Sequence, residues 1–148
     1  MVTVGIHVRY APLKEAGWRW LEARAKPIRC EDTTGFIALR GNKIVGAVAF
    51  DSWAPNSCLA HIAIEDPFVL RHGFLELAFD FAFHHAGRGI ILGMTPANNE
   101  RALRFNRKIG FQEIYRLKDG YQTGIDYVAQ EIRRENCRWL APEYRKAA

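Results

Sequence analysis

The chain alternates between short apolar stretches and polar breaks, and most of these stretches predict β-strands. Alternating apolar positions over residues 2–9 predict the first strand. Residues 35–40 and 43–50 flank the dipeptide Gly41-Asn42, which fits a two-residue hairpin turn. These two strands are therefore predicted to pair antiparallel.

The second strand of this hairpin contains Gly46, and glycine inside a strand indicates a bulge or the close approach of another group. Residues 51–56 are predicted to form a loop. Residues 57–64 are apolar on both faces of a strand, apart from His61. A strand buried on both faces lies inside a sheet, so this one is predicted to be central.

Two helices are predicted before residue 90. The first begins near Pro12, which suits a first helical turn. Its apolar side is predicted to comprise four residues: Leu13, Ala16, Trp20 and Leu21. Trp18 is predicted to lie on another side, where it would border a site or cover the core. The second helix spans residues 74–86 and is apolar nearly all round, which predicts deep packing.

A strand–helix–strand unit is predicted from Gly89 onward. Residues 90–92 form a short apolar strand, and Asn98 or Asn99 is a good N-cap for the following helix. One face of that helix is predicted to carry Ala102, Phe105 and Ile109. Gly110 is placed to end the helix in a left-handed conformation, and Phe111 opens the next strand.

Residues 111–117 and 125–132 complete the pattern as two further strands. The predicted order is β-α-β-β-β-α-β-α-β-β. This order predicts an α/β fold with a central mixed sheet of parallel and antiparallel strands flanked by helices. A length of 148 residues favours a single domain spanning residues 1–148.

Composition narrows the class of protein. No apolar run approaches the roughly 20 residues needed to span a bilayer, and residues 2–6 are more typical of a strand than of a signal peptide. We therefore expect no membrane association and a cytoplasmic protein. Cys30, Cys58 and Cys137 are odd in number and far apart, which argues against a disulfide framework and against zinc.

The net charge of +5 has two dense sources. The predicted third helix carries Arg101, Arg104, Arg107 and Lys108. The tail carries Arg133, Arg134, Arg138, Arg145 and Lys146. Such a surface binds nucleic acid, binds the phosphates of a nucleotide cofactor, or keeps the protein soluble. The absence of interleaved aromatic residues and of a helix-turn-helix pattern disfavours nucleic acid.

The residues around the third helix carry a family resemblance. Asn99, Ala102 and the run Lys108-Ile109-Gly110-Phe111 resemble the C-terminal signature of the GNAT superfamily, the acyl-CoA-dependent N-acyltransferases. The resemblance covers residues 35–132 well and implies a GNAT-like fold, with one N-terminal helix fewer than usual. The chain is similar to the divergent members that bacteriophages and prophages encode.

The resemblance implies acetyl-CoA as cosubstrate. The central strand would contribute backbone groups at Ile62, Ala63 and Ile64. The loop after it would meet the phosphates through Arg71, His72, Gly73 and Phe74. The third helix would contribute Asn99, Ala102, Phe105 and Asn106. The family's loop usually contains further small residues, of which only Gly73 is kept here. Without the resemblance, this loop is an ordinary polar helix start.

Amine acylation needs a group that removes a proton from the attacking nitrogen. His61, Glu65 and Asp66 are the candidates, with a hydrogen-bonded core histidine and helix-capping carboxylates as the alternative interpretations. The family often has a tyrosine as general acid where this chain has Asn106, which cannot supply a proton. We expect a hydrogen-bonding role for Asn106. Replacement acids would be Tyr115, Tyr121 or Tyr127.

The resemblance implies transfer of an acetyl group to a primary amine by direct attack. The acceptor would be a small molecule or a protein, and Trp18, Trp53 and Tyr121 are candidates for its wall. The alternative is a catalytically degenerate GNAT-fold protein that binds a macromolecular partner. A homodimer is left open. No metal is expected, because the adjacent His84 and His85 point in different directions on a helix.

Overall fold

The computed structural model describes residues 7–146, which form a seven-stranded sheet, three α-helices and several short 3₁₀ or π-helical segments. The strands are β1 Val8–Pro12, β2 Thr34–Arg40, β3 Lys43–Ala54, β4 Ser57–Ile64, β5 Ile90–Pro96, β6 Gln112–Gln122 and β7 Ile125–Arg133. The helices are α1 Glu15–Ala25, α2 Phe74–Phe79 and α3 Glu100–Ile109. This is the predicted order of elements.

The strands lie side by side in the order β1-β2-β3-β4-β5-β7-β6. β4 and β5 run parallel, whereas β5 with β7 and β6 with β7 run antiparallel. The predicted mixed sheet is therefore confirmed. So is the central place of β4, which is fourth of the seven strands.

The described residues divide into two compact units. The first comprises the residues up to Asp51 together with Ala60–Ala78, and the second comprises Ser52–Leu59 and the residues from Phe79 onward. Of the first predicted strand, over residues 2–9, positions 2–6 lie outside the described residues. β1 runs from Val8 to Pro12 and pairs with β2.

α1 packs on the sheet within the first unit, but the face that it buries differs from the predicted face. Trp18 is only 4% exposed and joins the core with Leu21 and Ile37, whereas Ala16 is exposed. A Cβ on Gly17 would lie 2.6 Å from Ile37, so the helix approaches β2 closely at this glycine and turns Trp18 inward. The prediction that Trp18 lies on another side was wrong. Pro12 ends β1 instead of beginning the helix.

The predicted hairpin is confirmed. Arg40 pairs with Lys43 across the turn, and Gly41 has a φ of +64°. Both expectations for Gly46 also hold. The register shifts beside it, and a Cβ at Gly46 would lie 3.2 Å from the ring of Phe74. The predicted loop over residues 51–56 is much shorter, because β3 continues to Ala54.

α3 begins and ends as predicted within the second unit. The Asn99 side chain caps it by accepting a hydrogen bond from the Ala102 amide, and Gly110 ends it with a φ of +119°. Its buried residues are Leu103 and Ile109, while Ala102 and Phe105 are half-buried. Leu103 was missed because the predicted face was centred one residue away.

The predicted helix over residues 74–86 is also present. α2 continues as a π-helical segment, Asp80–His85. The predicted deep packing of this helix is confirmed for one side only, since Leu77 is 39% exposed. Across residues 7–146, no helix is long and apolar enough to cross a membrane. None of the three cysteines forms a disulfide, and Cys30 is exposed whereas Cys58 and Cys137 are buried.

Gly35→Ala should destabilise the protein, because the new Cβ would lie 1.9 Å from the backbone oxygen of Val48. Backbone cannot move aside as a flexible side chain can, and overpacking of this kind costs about 1–3 kcal/mol. Urea unfolding measures the loss. Gly41→Asn is the control, because its Cβ position has no atom within 4 Å and asparagine tolerates positive φ. Equal midpoints for the two variants would contradict the expected clash.

Candidate functional site

A histidine–aspartate pair links the two strands β3 and β4 in the first unit. The Nε2 atom of His61 lies 2.9 Å from the Oδ2 atom of Asp51, and the side chains are 18% and 4% exposed. A carboxylate in this position orients the ring and stabilises the imidazolium that forms when histidine takes a proton. The contact suits a general base, and it equally satisfies the interpretation of His61 as a hydrogen-bonded core residue.

Asp51 was missed as a site residue because residues 51–56 were predicted to form a loop. In the structure Asp51 belongs to β3 and is buried. The signal in the sequence is a carboxylate that directly follows the apolar run ending at Phe50. Ser52, the next residue, has a φ of +53°, a conformation that is uncommon for residues other than glycine. Regular strand geometry is therefore interrupted beside the carboxylate.

Glu65, the second predicted base, is held by two basic side chains. Arg24 lies 2.6 Å from its carboxylate and Lys43 lies 3.4 Å away. The hydrogen bond from Arg24 is the main cause that lowers the pKa of Glu65. A carboxylate with a lowered pKa is a weaker base, so this environment favours His61 over Glu65 as the proton acceptor.

Asp66 has the capping role that was its alternative interpretation. Its side chain accepts a hydrogen bond from the Phe68 amide at 3.0 Å, at the start of a 3₁₀ helix that spans Pro67–Arg71. Arg40 pairs with the same carboxylate at 2.7 Å. The Phe68 hydrogen bond, followed by that of Arg40, lowers the pKa of Asp66.

The loop between β4 and α2 carries the predicted phosphate-binding residues. Arg71 and His72 are exposed, and Gly73 has a φ of +86° immediately before α2. The His72 ring packs at a tilt against the Phe68 ring, with centroids 4.1 Å apart, and the His72 carbonyl accepts a hydrogen bond from the Tyr10 hydroxyl at 2.5 Å. Two basic side chains at a helix start provide the kind of environment that an anionic phosphate requires.

Two residues at the start of α2 are committed to the core. Phe74 is fully buried and packs against Phe36, so its side chain does not form a cofactor wall. Leu75 is also buried, with 1% of its surface exposed. Ile62, Ala63 and Ile64 occupy the end of β4 and are half-buried.

The predicted residues of α3 take part in internal hydrogen bonds of the second unit. The Asn106 side-chain nitrogen donates to the Thr95 hydroxyl at 3.3 Å and to the Gln130 side-chain oxygen at 3.0 Å. Gln130 is only 1% exposed. Both amide hydrogens of Asn106 are used in this way, so the arrangement does not favour a hydrogen bond from Asn106 to a leaving sulfur.

The candidate tyrosines of the second unit differ in environment. Tyr115 is 63% exposed and Tyr121 is 45% exposed. Tyr127 is half-buried and pairs with Pro96 at the end of β5. Burial, and secondarily the nearby Tyr121, raises the pKa of Tyr127. A raised pKa makes this phenol a weaker acid, so its environment gives Tyr127 no advantage as a proton donor.

The remaining candidates have structural contacts. Trp53 is half-buried, packs edge-on against Phe81 at 6.1 Å and lies under the guanidinium of Arg88. His84 stacks on Tyr144 at 3.7 Å. Within the described part of the chain, no three His, Cys, Asp or Glu side chains are grouped as a metal site requires.

Solved structures share this fold. SpeG of Vibrio cholerae, a spermidine/spermine N-acetyltransferase, matches with a TM-score of 0.68 at 13% identity over 85% of this chain and 92% of that chain. The protein smu.2055 of Streptococcus mutans matches with a TM-score of 0.67 at 15% identity over 84% and 98%. An acetyltransferase of the GNAT family from Bacillus anthracis matches with a TM-score of 0.52 at 17% identity over 69% and 66%.

These likenesses show that the chain has the GNAT fold, as the signature around α3 implied. No protein-family model matches the sequence, and no curated protein matches it.

The carboxylate of Glu65 should titrate below the ordinary glutamate range when followed by NMR. Arg24→Gln should raise its pKa, because the strongest hydrogen bond to the ionised form is lost. Arg19→Gln is the control, since Arg19 pairs with Glu15 instead. The contribution of the Glu65 contacts to stability should persist above the ordinary pKa and disappear as the pH falls through the lowered one. An unchanged titration in Arg24→Gln would contradict this assignment.

Asn106→Leu should lower the unfolding free energy by about 1–3 kcal/mol, because it leaves the buried oxygen of Gln130 without its donor. Asn98→Leu changes an exposed asparagine before the same helix and should have little effect. Thermal unfolding of both variants provides the comparison. If Asn106→Leu kept wild-type stability, the hydrogen bonds to Thr95 and Gln130 would not be its main role.

Proposed function

We propose that the protein is an N-acetyltransferase that moves the acetyl group of acetyl-CoA to a primary amine. The observation that carries the proposal is the His61–Asp51 pair at 2.9 Å, located on the central strand β4 and its neighbour β3 of a GNAT fold. A half-buried histidine oriented by a buried carboxylate has the geometry of a general base.

The cosubstrate contacts are proposed on the first unit's loop and on α3. Arg71 and His72 would meet the phosphates, because both side chains are exposed at the start of α2. Gly73, with its left-handed backbone, leaves space for a close approach, since its Cβ position has no atom within 4 Å. Asn99 at the start of α3, together with Ala102 and Phe105, would contact the pantetheine arm.

The bond changes of the reaction are simple. The thioester of acetyl-CoA supplies the acetyl group. His61 removes a proton from the attacking amine, directly or through a water, as the nitrogen–carbon bond forms and the carbon–sulfur bond breaks. Asp51 stabilises the resulting imidazolium. Backbone groups of Ile62 to Ile64 align the acetyl carbonyl. A thiolate is a weakly basic leaving group, so its release does not depend on a strong acid.

The acceptor is proposed only as a primary amine. SpeG acts on spermidine and spermine, and these polyamines are the first acceptors to test. Recognition of a polycation favours carboxylates that are available for pairing. Glu65 and Asp66, at the end of β4, are already paired with Arg24, Lys43 and Arg40. These two carboxylates give no specific support for a polyamine.

A second candidate function is a GNAT-fold protein that has lost catalysis and binds a macromolecular partner. Two observations favour it. Of the small residues usual in the family's loop, this chain keeps only Gly73, and the Asn106 side chain is hydrogen-bonded to Thr95 and Gln130. Cofactor binding distinguishes the two candidates.

Calorimetric titration with acetyl-CoA tests the cosubstrate site. The wild type should release heat on binding, and Arg71→Ala/His72→Ala should bind at least about tenfold more weakly, because charge-assisted phosphate contacts contribute about 1.5–3 kcal/mol each. The matched control is His7→Ala/Arg19→Ala, which removes the same residue types from exposed positions elsewhere. Absence of binding heat at millimolar acetyl-CoA in the wild type would contradict the enzyme proposal.

Release of free CoA with spermidine and with a panel of other primary amines tests the proposed base. His61→Gln should lower kcat by about 10²–10⁴-fold while acetyl-CoA still binds. Asp51→Asn should also lower kcat, because the charge that stabilises the imidazolium is removed. Wild-type turnover in His61→Gln would rule out His61 as the base.

A further inference from the structure

The exposed side of α3 carries a cluster of basic residues. The cluster comprises Arg101, Arg104, Arg107 and Lys108, all exposed. At about 100° per residue these positions lie away from Leu103 and Ile109, which are buried. Across residues 7–146, none of the four side chains makes a hydrogen bond or an ion pair. Exposed helix surfaces usually carry charges of both signs, so a surface with only positive side chains is unusual.

The charge balance of α3 strengthens this observation. Glu100 is its only acidic residue, so four cations and one carboxylate give the helix a net charge of +3, against +5 for the whole chain. Arg107 and Lys108 lie in the last turn, where positive charge stabilises the helix dipole. Arg101 lies in the first turn, where positive charge is unfavourable. Helix stability therefore does not account for Arg101.

The C-terminal tail adds to the same surface. The Arg138 guanidinium donates a hydrogen bond to the carbonyl of Lys108, at the end of α3. Trp139 donates to the carbonyl of Ile109 at 2.8 Å, and Arg145 donates to the carbonyl of Arg138 at 3.2 Å. These bonds hold the exposed Arg138 beside the basic cluster. Two basic stretches that are about 30 residues apart in the sequence thus form one surface of the second unit.

We propose that this surface, formed by α3 and Arg138, binds the phosphate backbone of duplex nucleic acid without sequence preference. Four of its five cations are arginines, whose guanidinium groups bind phosphate in a bidentate manner. With a rise of about 1.5 Å per residue, Arg101 and Lys108 are about 10 Å apart along the helix. Duplex DNA carries one charge per about 1.7 Å of its axis, so a row of this length faces several phosphates.

The proposal revises the expectation from the sequence, which treated the two basic stretches separately and disfavoured nucleic acid for lack of interleaved aromatics. Contacts to the phosphate backbone require neither aromatic residues nor a recognition helix. An acidic protein segment is the competing partner. Arginine binds both phosphate and carboxylate, so the experiment includes an acidic polypeptide. The proposal is independent of the acetyltransferase activity.

Fluorescence anisotropy with a labelled 20-base-pair duplex tests the surface. The wild type should bind with a Kd on the order of 10⁻⁴–10⁻⁶ M at physiological salt, and log K should fall with log salt with a slope of about −4. Arg101→Gln/Arg104→Gln/Lys108→Gln should reduce the magnitude of that slope by about 3 and weaken binding at least tenfold. Arg138→Gln should reduce it by about 1.

The matched control is Arg9→Gln/Lys14→Gln/Arg19→Gln, which removes the same charges from exposed positions in the first unit. This variant should keep most of the duplex affinity. An equal loss in the control would show that net charge alone drives binding, and would overturn the proposal. Equal or tighter binding of poly-glutamate would assign the surface to an acidic protein instead. Loss of acetyl-CoA affinity in the α3 variant, with duplex affinity kept, would assign the arginines to cofactor phosphates.

Discussion

The hydrogen bond between His61 and Asp51 is the contact on which the candidate site depends. Burying a carboxylate is unfavourable unless a partner compensates for the lost water, and the Asp51 side chain is 4% exposed. His61 provides such a partner from the neighbouring strand. The same contact fixes the orientation of the imidazole ring, so a requirement of folding and a requirement of proton transfer are met by one interaction.

A second buried polar contact limits the chemistry of the site. Asn106 connects α3 to the sheet through Thr95 and Gln130, and Gln130 would be costly to bury without that bond. Asn106 thus serves the packing of the second unit. The proposed acetyl transfer therefore depends on the weak basicity of the thiolate for release of the leaving group.

The two proposals concern different residues and different ligands. The acetyltransferase proposal rests on the first unit's histidine–aspartate pair and on the exposed Arg71 and His72. The nucleic-acid proposal rests on α3 and Arg138 in the second unit. A GNAT fold with both properties would be an acyltransferase that also associates with a polyanion, whereas loss of the first alone would leave a binding protein.

Features that depend on neighbouring residues were predictable from the amino-acid sequence. The hairpin at Gly41, the cap at Asn99, the stop at Gly110 and the whole order of elements follow from local turn chemistry and periodicity. Tertiary packing decided the rest. Asp51 is buried because β3 runs on to Ala54, and Trp18 faces the core because Gly17 lets α1 approach Ile37.

The contacts of Asn106 with Thr95 and Gln130 join residues 11 and 24 positions apart, and the contact of Arg138 with the end of α3 joins residues 30 positions apart. Such contacts have no periodic signal in one sequence. They are set by how the strands and helices pack, which is why the fold was predictable from this chain and the composition of its candidate site was only partly so.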